Sequence, residues 1–238
     1  MTFRTPNSEF RTPNSELRTH MIEAVIFDLD GLLIDSEPLW QEAEILIFKQ
    51  VNLLLTPELC RRTQGLRIDQ VVDYWYQQYP WTNLSKLEVA ELIVSQVIEL
   101  IHLKGEPLPG VAQGISFVQS QDVKIALASS SALKIIQAAL QKLNLTEVFV
   151  EVYSAESEVW GKPHPGVYLT TAQKLHVPPQ SCLALEDSLN GVLAAKAAQM
   201  NCIAIPEVIQ QQNPKFAIAD RILKSLTELN KSVWNSLC

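Results

Sequence analysis

Five short apolar runs, each giving way to polar residues, constrain this chain more than any other feature. Ile22–Phe27 is the first, and similar runs recur at Val123–Ala128, Val148–Val152, Cys182–Leu185 and Cys202–Ile205. Their length and apolar character read as buried strands. Helix-patterned stretches at 131–143, 164–175 and 188–199 lie between the later runs. Strands alternating with helices of about ten residues predict an α/β fold, a parallel sheet covered by helices on both faces.

One interval breaks the rhythm. From Glu37 to about Leu108 there is no strand pattern, only amphipathic helical pattern at 38–51, 57–63, 68–79 and 85–104. Ser36 to Pro38 punctuate the entry, and Pro107, Pro109 and Gly110 the exit. The expectation is a Rossmann-like α/β core at 21–36 and 108–238, with an inserted all-helical cap at 37–107. Residues 3–9 (Phe-Arg-Thr-Pro-Asn-Ser-Glu) are repeated letter for letter at 10–16. This segment has neither helical nor strand periodicity. Residues 1–20 are therefore expected to be a non-native or disordered extension, with Met21 as the natural start.

Acidic residues outnumber basic ones, 26 to 19, for a formal charge of −7. That balance argues against nucleic acid or an anionic membrane as partner. An anionic substrate would need local cations or a metal. No apolar run approaches the roughly 20 residues of a membrane span, and no apolar stretch follows the basic residues at the N-terminus. Cys60, Cys182, Cys202 and Cys238 show no close pairing and no metal-ligand spacing. They read as free thiols in a reducing cytoplasm. A cytoplasmic monomer is the expectation.

In an open α/β sheet, ligands bind beyond the carboxyl ends of the strands. The residues just after the apolar runs include Asp28, Asp30, Ser129, Ser130, Glu186 and Asp187, and Lys162 sits in a loop ahead of a helix. Four carboxylates converging on one crevice require a cation. Oxygen ligands alone suit a hard ion, Mg²⁺ above all, and no His/Cys cluster offers a zinc site. Such a set fits phosphoryl transfer, which needs positive charge, an in-line nucleophile and a proton donor. Lys162 and the metal can supply charge, and Ser129 can hold a phosphate oxygen. Either aspartate can be the nucleophile and the other the acid. Each element also has a plain structural reading: a turn for Asp28-Leu-Asp30, helix caps for Ser129–Ser131 and Glu186-Asp187-Ser188, a solvated turn for Gly161-Lys162-Pro163. Their joint placement at strand ends and loops favours the functional reading.

These residues carry a family resemblance. Phe-Asp28-Leu-Asp30-Gly31-Leu-Leu-Ile-Asp35-Ser36-Glu37 resembles the first motif of the haloacid dehalogenase-type phosphatases. Ala-Leu-Ala-Ser129-Ser130-Ser131 resembles the second, Gly161-Lys162-Pro163-His164-Pro165 the third, and Leu-Glu186-Asp187-Ser-Leu-Asn-Gly191 the fourth. The resemblance implies that Asp28 attacks phosphorus and that Asp30 is general acid and then base. It implies that Ser129, Ser130 and Lys162 hold the phosphate. It places Mg²⁺ on Asp28, the backbone carbonyl of Asp30 and Asp187, with Glu186 in support. The dehalogenases of the superfamily lack the second aspartate, so Asp30 points to phosphoryl chemistry.

The helical insert resembles the cap of the β-phosphoglucomutase-like branch. Gly-Leu-Leu-Ile-Asp-Ser-Glu-Pro-Leu-Trp40, Gly65-Leu66-Arg67-Ile68-Asp69 and Pro80-Trp81 are similar to bacterial hexitol and 2-deoxyglucose-6-phosphate phosphatases. The implied substrate is a small phosphorylated sugar or sugar alcohol. Trp40, Gly65 and Arg67 fall in the implied specificity region, where Arg67 is either a cation for the substrate or a surface helix residue. A phosphosugar mutase is the alternative. Those enzymes carry a histidine twelve residues beyond the nucleophile, where this chain has Trp40, and a Gly-x-Ser-Arg loop where this chain has Gly65-Leu66-Arg67.

Overall fold

β1 (Ala24–Phe27) lies inside a six-stranded sheet whose pairings are all parallel. The other strands are β2 (Lys124–Ser129), β3 (Glu151–Ser154), β4 (Cys182–Glu186), β5 (Asn201–Ala204) and β6 (Arg221–Ile222), in the order β3-β2-β1-β4-β5-β6. The structure is a computed structural model and describes residues 21–237. The extension expected at 1–20, and Cys238, lie outside the described residues.

Side chains alternate along each strand, and both faces are covered. Val25 and Phe27 enter one apolar cluster, with Leu127, Leu183 and Ile203; Ala24 and Ile26 enter the other, with Ala126, Ala184 and Cys202. α5 (Val111–Gln119), α6 (Leu133–Lys142) and α9 (Lys231–Asn235) cover the first face; α7 (Gly166–Leu175) and α8 (Leu189–Ala197) cover the second. The expected α/β sheet is what forms. β3 starts later than the apolar run suggested, because Phe149 is used ahead of the strand to pack edge-on against Phe27, ring centres 6.0 Å apart. β6, α5 and α9 were not foreseen.

Between β1 and β2 the chain forms α1 (Glu37–Phe48), α2 (Pro57–Cys60), α3 (Ile68–Gln78) and α4 (Lys86–Lys104). α4 begins with a reciprocal cap: Ser85 Oγ accepts from the Glu88 N–H at 3.2 Å, and the Ser85 N–H donates to Glu88 Oε2 at 2.7 Å. The chain leaves and returns through paired backbone: Asp35 N–H donates to Glu106 O at 3.0 Å and Leu108 N–H to Leu33 O at 3.2 Å. The insert shares its apolar interior with the sheet. Trp75, Val89, Ile93 and Ile101 continue the cluster that holds Phe27 and Leu127. Lys142 Nζ on α6 donates to the His102 carbonyl at the end of α4, at 2.9 Å.

Candidate active site

The sheet order reverses beside β1, with β2 on one side and β4 on the other, which creates a crevice at their carboxyl ends. Asp28 follows β1 and Asp187 follows β4, so both are buried in that crevice. Lys162 reaches it from the loop before α7 and is 2 % exposed. Its Nζ donates to Asp28 Oδ1 at 2.6 Å, to Glu186 Oε1 at 2.6 Å and to the Ala128 carbonyl at 3.2 Å. Glu186 Oε1 also accepts from the Tyr168 hydroxyl, and Oε2 from Ser188 Oγ at 3.2 Å. A Cβ on Gly191 would collide with the Glu186 carboxylate, so only glycine admits this approach of α8.

Around the Asp187 carboxylate the charges are mostly negative: Asp28, Glu186 and Glu37, against the one ammonium of Lys162. The Asp187 carboxylate lies over Gly31, where φ is +70° and any Cβ would overlap Asp187 Oδ2. Asp28, Glu186 and Asp187 each offer an oxygen, all within 4.8 Å of one another. Three carboxylates against the one ammonium of Lys162 leave a formal charge of −2. Burial is the first cause that lifts Asp28 to about 8; the attraction of Lys162 only partly opposes it, and Glu186 and Asp30 add to it. Burial, then Asp28 and Glu186, also hold the Asp187 carboxyl well above the usual range. For Lys162, burial works against the charge, but Asp28 and Glu186 outweigh it and raise its pKa. An oxygen-only set with this excess negative charge fits a hard divalent cation.

Asp30 is held quite differently. Its Oδ1 accepts from Ser36 Oγ at 2.6 Å and from Trp40 Nε1 at 3.0 Å; its Oδ2 accepts from Ser131 Oγ at 2.6 Å and Ser129 Oγ at 3.4 Å. The carboxyl is fixed by neutral donors on both oxygens, from the strand-end loops and from α1. Ser130 Oγ has no partner among the described residues and lines the same crevice.

The plain structural readings of these motifs are therefore only partly met. Ser188 does cap α8, accepting from the Gly191 N–H at 3.0 Å, but Asp187 beside it faces the crevice. The serines do not cap α6, whose N-cap is Ala132 with no side-chain bond; Ser131 turns to Asp30 instead. Lys162 is buried rather than in a solvated turn.

The crevice opens into a small pocket between the strand ends and the insert. Asp28, Asp30, Ser129, Ser130, Lys162 and Asp187 line it, and the insert adds Trp40, Gly65 and Leu66. Glu186 lies behind Lys162. Arg67 is not brought to the cavity. Its guanidinium pairs with Asp69 at 2.6 and 2.7 Å and donates from Nη1 to the carbonyls of Ala155 and Glu158, at 2.9 and 2.7 Å. It ties the start of α3 to a core loop. Residues that sequence reasoning passed over include Glu37, Gln41 and Glu44, spaced i, i+4, i+7 on the cavity side of α1. Burial lifts Glu37 to about 8 and Glu44 to about 7. A polar stripe on a helix face that should be apolar was the available signal.

Residues 25–205 match the family described as haloacid dehalogenase-like hydrolases. The chain belongs to this family. Hexitol phosphatase B of Escherichia coli K12 is 44 % identical over 209 residues, covering 86 % of this chain and 92 % of that one. A β-phosphoglucomutase of Bacillus subtilis is 28 % identical over 214 residues, covering 86 % and 90 %. Among solved structures, CbbY from Rhodobacter sphaeroides in complex with phosphate superposes with a TM-score of 0.81 at 27 % identity, covering 88 % of this chain and 97 % of that one. The resemblance read from the four motifs, and its extension to the hexitol phosphatases and the β-phosphoglucomutase-like branch, is borne out. The chain is accordingly an enzyme, a hydrolase of this family.

Proposed function

We propose that this hydrolase is a Mg²⁺-dependent phosphatase of small phosphorylated sugars or sugar alcohols, such as 2-deoxyglucose 6-phosphate, acting through an aspartyl-phosphate on Asp28. The observation that carries the reading is the contrast between the two aspartates. Asp28 is buried, salt-bridged to Lys162 and next to two further carboxylates. Asp30, two residues on, is held only by hydroxyls and an indole.

Asp28 and Asp187 would hold the ion, with the backbone carbonyl of Asp30 as a further ligand and Glu186 in support. When bound, Mg²⁺ supplies the positive charge that ionises Asp28 and attracts the phosphate. The Asp28 carboxylate attacks phosphorus while the phosphorus–oxygen bond to the sugar breaks. Asp30 passes a proton to the departing alkoxide. Lys162 offsets charge on Asp28 and on the transferring group, and Ser129 and Ser130 offer donors to its oxygens. Asp30 then takes a proton from water, whose oxygen attacks the phosphorus of the aspartyl ester. Inorganic phosphate leaves and Asp28 is free again. Glu186, fixed by Tyr168 and Ser188, holds Lys162 in place.

Under this reading residues 37–107 act as a cap over a core of 21–36 and 108–238, closing the cavity against water. The mutase alternative fares less well at one contact: Trp40 gives Asp30 a neutral N–H where the mutases carry a histidine. No described helix is long and apolar enough to cross a membrane. A screen of hexose phosphates, hexitol phosphates and phosphoglycolate with Mg²⁺ tests the substrate class. Release of free phosphate from hexose and hexitol phosphates, abolished by EDTA, is expected. Conversion of β-glucose 1-phosphate to glucose 6-phosphate with a bisphosphate activator would instead support the mutase.

A further inference from the structure

Glu44 is the buried acid in the cavity wall that the proposed mechanism does not use. It lies on α1, is 6 % exposed and lines the same cavity as Asp28 and Asp30. The Cys60 thiol is its hydrogen-bond neighbour, and its Oε2 has no partner among the described residues. A buried acceptor left unpaired costs free energy, so such groups are normally satisfied by protein, water or ligand. Among the described residues of the cavity wall the one cationic side chain is Lys162, which is already taken by Asp28 and Glu186. With Oε2 unpaired and aimed at the cavity side of α1, a donor brought in by what enters the cavity would satisfy it.

Position narrows the choice. Trp40 touches Asp30, and Glu44 lies one helical turn further along α1, about 6 Å by the rise of the helix. Glu37, Gln41 and Gln64 complete this part of the wall. A phosphate held at Asp28 therefore places the carbon chain of its ester beside acceptors and neutral donors, and away from any free cation in the wall.

We infer that Glu44 is a specificity-determining residue that accepts a hydrogen bond from a hydroxyl on the carbon chain of the substrate. The same acidic wall selects neutral polyhydroxy monophosphates over substrates bearing a second anionic group, such as a hexose bisphosphate or phosphoglycolate. This rests on the phosphatase reading above and deepens it.

The test uses the full chain with Mg²⁺ and compares wild type with Glu44→Gln on a hexitol 6-phosphate, p-nitrophenyl phosphate and a hexose 1,6-bisphosphate. The amide keeps the size of the side chain and one acceptor, and removes its charge. The loss in kcat/KM is expected to be at least tenfold greater for the hexitol phosphate than for the aryl phosphate, and to reside chiefly in KM. Discrimination against the bisphosphate should shrink by a similar factor, and the melting temperature should hold or rise. Equal losses on hexitol and aryl phosphates, or a fall in melting temperature with a uniform loss, would make Glu44 merely structural and overturn the inference while the phosphatase reading stands. A wild type that hydrolyses aryl phosphate yet shows no preference for any polyol phosphate would overturn both.

Discussion

Trp40 Nε1 donates to Asp30 Oδ1 at 3.0 Å, joining the first helix of the insert to the loop after the first strand. The contact makes the setting of Asp30 depend on where the insert sits. Trp40→Phe keeps most of the apolar bulk and removes the donor. One neutral hydrogen bond is worth about 1 kcal/mol, so kcat/KM for sugar phosphates should fall roughly fivefold. Steady-state kinetics on alkyl and aryl phosphates checks this, with the larger loss expected on the alkyl ester if Asp30 is the proposed proton donor.

Lys162 bridges Asp28 and Glu186 from a fully buried position. Lys162→Met leaves those carboxylates without their cation, and removing one partner of a buried pair typically costs about 3–5 kcal/mol. Denaturant unfolding should show this destabilisation in EDTA and a smaller one with saturating Mg²⁺, while turnover is lost in both.

Asp187→Asn removes one of the three clustered negative charges. Mg²⁺ affinity should fall about tenfold or more, with activity falling alongside. In EDTA the variant should melt higher than wild type, because like-charge repulsion is relieved. Calorimetric titration with Mg²⁺ and thermal melts measure the two effects; a lower melting temperature in EDTA would contradict the charge argument.

Burial holds the Glu44 carboxyl at about 7, above its ordinary value of 4.5. The folded chain therefore keeps a proton that the unfolded chain has released. Stability from this group is fully present below pH 4.5 and is lost as pH rises towards about 7. Metal-free protein should thus lose stability across that window, and Glu44→Gln should lose less. Denaturant midpoints measured at intervals over the window read the difference in slope.

Much of this arrangement was legible in the sequence, because each catalytic candidate directly follows an apolar run or precedes a helix. Asp28, Asp30, Ser129 and Asp187 needed only the strand ends and the rule that ligands gather beyond them. β6 was not legible: two residues, both exposed, give no pattern. Glu44 was hidden because an acid on an amphipathic helix ordinarily faces water. Here the insert folds back over the crevice and turns that face inward. Arg67 was ambiguous in the sequence, either a cation for the substrate or a surface residue; in the structure Asp69 and two backbone carbonyls engage it.

That clasp has its own consequence. If Arg67 positions the insert rather than touching substrate, Arg67→Ala should lower kcat/KM several-fold and alike for all sugar phosphates. Bonds from a charged donor are worth about 1.5–3 kcal/mol, discounted here because Asp69 is exposed. Kinetics across three or more sugar phosphates decides; losses that differ by tenfold between substrates would return Arg67 to the binding site.

The central claim is that Asp28 carries the phosphoryl group, and it is tested most directly by trapping it. Wild-type protein mixed with a hexitol 6-phosphate and Mg²⁺, acid-quenched within a single turnover and digested, should yield a peptide carrying one phosphoryl group on Asp28. Asp28→Asn should yield none. A phosphoryl group on Asp30, or single-turnover hydrolysis that proceeds with no phosphoenzyme at any time point, would contradict the account.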